Sequence, residues 1–187
     1  FIYLVNDYDL WHHKDPFSKK FNLLYDFYKN TNAKMWQEDN MYMKEFRDRF
    51  MGGNVELTPE EKNFISQKEH EYSEIFNNLE IIEFEHIRGC LVINAASFVN
   101  ELCSDLLKDN RYRVVFLRNT KNGHVSVRHN IETLNIGEVL SQNNLGGGHR
   151  KAAGMQIFDA DTLMKKLLSL EKYLYVNFPE VRLTPNS

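Results

Sequence analysis

Apolar residues recur along this chain with two different periods, and the change falls near residue 80. Phe1-Ile2-Tyr3-Leu4-Val5 is an unbroken apolar run that predicts a buried strand over 1–6, ended by Asn6-Asp7-Tyr8-Asp9. Phe21, Leu24, Tyr25 and Tyr28 then repeat at helical spacing and predict a helix over 18–30. A second helix is predicted over 33–50, stopped by Met51-Gly52-Gly53-Asn54. Thr58-Pro59-Glu60-Glu61 supplies an N-cap, a proline at the first helical position and a carboxylate three places after the cap. A long helix to about 77 should follow.

Beyond residue 80 the runs shorten. Segments 81–86 and 90–94 read as strands with Gly89 near their turn, and 98–108 reads as a helix. Segments 112–117 and 124–128 read as a hairpin across Asn119-Thr120-Lys121-Asn122-Gly123, where Asn-Gly is a strong turn signal. A short helix over 136–142, a glycine loop and a strand over 154–158 follow. Asp159 or Asp161 caps a last helix to about Tyr175. The chain therefore reads as α/β: a mixed β-sheet flanked by helices over 80–178, preceded by a mainly helical connector over 1–79 and followed by a tail over 179–187.

Composition narrows the function classes. At 187 residues, 42% of them hydrophobic and including 13 Phe and 9 Tyr, the chain can build a core for one large domain or two small ones. A formal net charge of −3 argues against a surface that is basic throughout, so any anion-binding surface must be local. Cys90 and Cys103 form no metal-type pair and no disulfide framework, which fits a reducing, cytoplasmic setting. No apolar run reaches the length of a membrane span, and no signal peptide is visible. Because the chain opens on Phe1 in a strand-like run, residue 1 is not expected to be the biological start.

The densest chemistry lies in Gly146-Gly147-Gly148-His149-Arg150-Lys151-Ala152-Ala153-Gly154. Three glycines without Cβ atoms can take φ > 0 and bring several N–H groups to one anion. His149 can donate to a phosphate oxygen, two cations follow it, and Ala-Ala-Gly allows close packing. Asp7 and Asp9 follow the first apolar run. An Asp-x-Asp pair there serves as a turn or cap, or places oxygen ligands for Mn²⁺ or Mg²⁺. His12 and His13 read as surface residues, and Trp11 and Trp36 are candidates for stacking on bases. Lys14, Lys19 and Lys20, and separately Arg111 and Arg113, form small basic clusters of the kind that usually stay solvated.

The run GGGHRKAAG resembles the signature of the DHHA1 domain, the substrate-binding half of DHH phosphoesterases. Asn94-Ala95-Ala96-Ser97 and then Val125-Ser126-Val127-Arg128 precede it in that family's order, so the resemblance covers about 80–178. It departs in having three glycines where many members have four, and His129 where many have serine. The resemblance implies that Arg128, Gly146, Gly147, Gly148 and His149 hold substrate phosphate. It also implies that Asp7, with Asp9 as the alternative, is one ligand of a Mn²⁺ or Mg²⁺ site completed by an upstream DHH domain. That domain's Asp-His-His motifs are absent here, so no catalytic residue is assigned and the chain alone is expected to be inactive. The implied partners are short RNA or DNA oligonucleotides or dinucleotides, the upstream DHH domain and, compatibly, a second copy of the chain. The implied function is the substrate-binding part of a metal-dependent phosphodiesterase. The alternative is a non-catalytic nucleotide- or nucleic-acid-binding module.

Overall fold

The computed structural model describes residues 3, 4, 7, 15–31, 41–53, 56–108 and 111–183. The chain divides into two compact units, Phe1–Ile75 and Phe76–Ser187.

The first unit is helical. Helix α1 spans Pro16–Thr31, α2 spans Met41–Met51 and α3 spans Pro59–Asn77, its last residues belonging to the second unit. Tyr3, Leu4 and Asp7 are also helical, which corrects the strand predicted over 1–6. A short apolar run does not by itself separate a strand from a buried helical turn. Phe21, Phe46 and Phe50 pack ring on ring with Leu24 and Ile65 in this unit's core. The capping box forms: the Glu61 N–H donates to Thr58 Oγ1 at 3.2 Å, and the Thr58 N–H donates to Glu61 Oε2 at 2.7 Å. Arg49 Nη1 and the Tyr28 hydroxyl also donate to the buried Glu61 carboxylate, at 2.6 and 2.7 Å. Glu61 is thus a paired buried charge as well as a cap.

The second unit is built on a six-stranded sheet of order β1-β2-β3-β4-β6-β5. Its strands are β1 Glu80–Glu83, β2 Gly89–Ile93, β3 Val114–Asn119, β4 His124–His129, β5 Gly146–Gly148 and β6 Ala152–Gln156. Helix α4 (Val99–Lys108) joins β2 to β3, which pair in parallel. Helix α5 (Ile136–Gln142) leads from β4 toward β5, and α6 (Ala160–Asn177) follows β6. Asp159 caps α6, its carboxylate accepting the Thr162 N–H at 2.6 Å.

Alternation along the strands decides what each face meets. Phe116, Val125, Val127 and Met155 share one core with Leu163, Leu167, Leu170 and Leu174 of α6 and with Ile136, Val139 and Leu140 of α5. Val115 and Leu117 point the other way, where α4 packs on β3 and more lightly on β4. Farther along that second face, toward β6 and β5, the sheet opens into a groove. Among the described residues, no helix is long and apolar enough to cross a membrane.

Candidate substrate groove

The floor of the groove follows from strand register. Ser126 on β4 is the Cα partner of Gly154 on β6, which is in turn the partner of Gly147 on β5. Directly opposed residues in antiparallel pairs share a face. This row therefore carries only a hydroxymethyl group and two hydrogens. The neighbouring row holds Arg128 and Ala152, and Ala152 exchanges both backbone hydrogen bonds with His149, at 2.7 and 3.3 Å. The third row is His124 opposite Gln156. All of these residues line one groove of about 600 Å³. The structure thus brings Arg128, Gly146, Gly147, Gly148 and His149 together.

The glycine triplet is not the loop that composition suggests. It is the edge strand β5, and Gly148 alone of the three has positive φ, at 152°. Its glycines are explained by close approach. A Cβ on Gly146 would lie 2.1 Å from the Gly154 carbonyl oxygen, and one on Gly148 would lie 2.6 Å from Ala152 O. Gly147 is different: a Cβ there would meet nothing within 4 Å.

Arg128 is half-buried, with Nη2 donating to Asn100 Oδ1 at 3.3 Å and Nη1 to Val127 O at 3.0 Å. Asn100, in the first turn of α4, thus orients the guanidinium beside the groove. Arg150 and Lys151 do not line the groove. Lys151 Nζ donates to Glu132 Oε1 at 2.7 Å, and Arg150 donates to the Glu132 carbonyl, so both cations of the motif are turned to Glu132. The Lys151 ammonium holds the exposed Glu132 carboxyl below its ordinary range.

His129 braces the turn from behind. The Ile131 N–H donates to its Nδ1 at 3.1 Å, so Nε2 carries the proton and donates to Arg150 O at 2.8 Å. That carbonyl also accepts the Ile136 N–H at 3.0 Å, tying α5 to the same turn. Burial lowers the His129 pKa, and the neighbouring Lys151 and Arg150 charges add to the effect. Nothing in the sequence alone points to a role for Asn100 or His129. Their partners lie 28 and 21 residues away, a relation that no local pattern carries.

Asn94 takes φ 63° and accepts from the Thr120 hydroxyl, so the Asn94-to-Ser97 segment ties the end of β2 to the β3–β4 hairpin and does not line the groove. Cys90 and Cys103 are buried. Burial pushes the Cys90 thiol up to about 12 and Cys103 higher still, which leaves neither a nucleophile at neutral pH.

Asp7 belongs to the first unit and is 3% exposed, and its Oδ2 accepts the Asp15 N–H at 3.0 Å. Among the described residues, no three His, Cys, Asp or Glu side chains gather to hold a metal ion. Asp9, Trp11, His12, His13, Lys14 and Trp36 lie outside the described residues.

Residues 94–175 match the family model of the DHHA1 domain. No curated protein matches the chain. Among solved structures the chain is similar to the pGpG-specific phosphodiesterase PggH from Vibrio cholerae, with 17% identity, a TM-score of 0.51, and coverage of 81% of this chain and 57% of that one. An uncharacterized protein from Helicobacter pylori G27 matches at 16% identity and a TM-score of 0.33, over 89% of this chain and 57% of that one. The chain therefore spans 57% of the length of each. At such identity the first match speaks for the α/β fold alone.

Proposed function

We propose that this chain, whose residues 94–175 match the DHHA1 domain, is the substrate-binding part of a DHH-family phosphodiesterase acting on short oligonucleotides or dinucleotides. The observation that carries this reading is the row of small residues Ser126, Gly154 and Gly147, covered at Gly154 by the His124 ring and open at Gly147, beside the row that holds Arg128 and His149. Arg128 and His149 flank Ala152, with backbones about 10 Å apart at ~4.8 Å per strand. Side chains of that length can converge on one phosphate. The guanidinium offers paired donors to phosphate oxygens, and the imidazole adds a third. Small residues next to them leave room for the chain that continues from the phosphate.

In this reading the chain binds and orients substrate in the cytoplasm. Attack on phosphorus, with Mn²⁺ or Mg²⁺, belongs to the longer protein. The fold neighbour's name, a pGpG-specific phosphodiesterase, is compatible with a 5′-phosphorylated dinucleotide as ligand. The test is hydrolysis by the longer polypeptide. It should release mononucleotides from dinucleotides when Mn²⁺ is supplied, while this chain alone binds without cleaving. If the longer protein with metal leaves dinucleotides, cyclic dinucleotides and pyrophosphate intact, the enzymatic reading fails. Binding without cleavage by both would instead favour a nucleotide-binding module, a reading that an upstream sequence lacking Asp-His-His would support.

A further inference from the structure

The groove continues past its phosphate end. His124 and Gln156 face each other across β4 and β6, and both line it. Four strand positions separate His124 from Arg128, about 13 Å at ~3.3 Å per residue, more than one phosphate can bridge. The imidazole is laid over Gly154: a Cβ on that glycine would fall 2.8 Å from His124 Cε1 and 3.2 Å from Nε2. The missing side chain thus lets the ring rest on the floor. The His124 backbone N–H is held by Asn122 Oδ1 at 3.0 Å, while the exposed ring makes no hydrogen bond to another described residue. Gln156 Nε2 donates to Asn122 O, which anchors the amide and leaves Oε1 as an acceptor. Phe158, 71% exposed, sets its ring against Gly123, where a Cβ would meet Cδ1 at 2.8 Å. Among the described residues no lysine lines the groove, and the one arginine that does lies at the other end.

An imidazole resting on a flat floor, an anchored amide acceptor and a nearby exposed phenyl ring suit a planar, polar-edged ligand better than an anion. We propose that this end of the groove holds a nucleobase of the substrate, stacked on His124 with Gln156 Oε1 accepting from its edge. The inference rests on the phosphate-binding reading of Arg128 and His149 and extends it. Every base has a π-face, so stacking of this kind tolerates sequence.

The test is calorimetric titration of the 187-residue chain at pH 8 with two ligands. One is pApA; the other is ribose 5-phosphate, which has a phosphate and no base. His124→Ala should weaken pApA roughly tenfold, about 1.4 kcal/mol, and leave ribose 5-phosphate unchanged. His124→Phe should restore pApA, because a ring that cannot hydrogen-bond still stacks. Arg128→Ala should weaken both ligands. The inference is overturned if His124→Ala leaves pApA unchanged, if it weakens both ligands alike as an anion contact would, or if His124→Phe fails to restore binding. An effect of Arg128→Ala with none from His124→Ala overturns this inference alone. No binding of either ligand by the unmodified chain overturns the functional reading and this inference with it.

Discussion

Gly137 and Gly148 meet without side chains: a Cβ on Gly137 would lie 2.3 Å from the Gly148 carbonyl oxygen and 3.0 Å from that of His149. The first turn of α5 therefore presses directly on the strand and turn that carry His149. The obstacle is backbone, so no rotamer change relieves it. Gly137→Ala should cost about 1–3 kcal/mol by overpacking, despite alanine's better helix propensity. Urea denaturation checks this, and an unchanged midpoint would show that α5 does not brace β5.

Gly147 gives the opposite case. Its added Cβ would meet nothing, yet it would stand on the groove floor opposite Gly154. Gly147→Ala should leave stability within about 0.5 kcal/mol while weakening dinucleotide binding severalfold. Thermal melting and a binding titration on the same sample separate the two effects. Unchanged affinity would mean that ligand does not cross this row.

The His129 brace has a pH signature. Burial lowers its folded-state pKa below that of the unfolded imidazole, about 6.5. The unfolded chain then binds the proton more readily. The contribution is complete above about pH 6.5 and is lost as pH falls through the lower folded value. Protonation also removes the Nδ1 acceptor of the Ile131 N–H. Imidazole NMR should show this ring titrating below 6.5, with amide exchange at Ile131 quickening over the same interval relative to the intrinsic rate. Titration at or above 6.5 would contradict the brace.

Much of the fold is legible in residue order because its signals are local. The Thr58–Glu61 box starts α3, Gly123 with φ 68° turns the β3–β4 hairpin, and Asp159 caps α6. The strand expected over 1–6 fails at Tyr3 and Leu4 because an apolar run does not specify a period. The glycine triplet misleads in another way. Its freedom suggests an anion-gripping loop, but the crowding of Gly154 O and Ala152 O against Gly146 and Gly148 makes it an edge strand that tolerates no Cβ at either end. The motif contains Arg150 and Lys151, and only their distant partner Glu132 reveals that they turn from the groove. The row of Ser126, Gly154 and Gly147 depends on pairing register across β4, β6 and β5, which single-strand periodicity does not encode.

The measurement that bears most directly on the substrate groove is calorimetric titration of this chain with pApA, set against His149→Ala. His149 is exposed and, among the described residues, its ring makes no hydrogen bond, so its loss should not disturb folding. The expected result is binding that the substitution weakens tenfold or more, about 1.4 kcal/mol, with the melting temperature unchanged. Equal affinity in both proteins, or no binding by the unmodified chain up to about a millimolar, would contradict it.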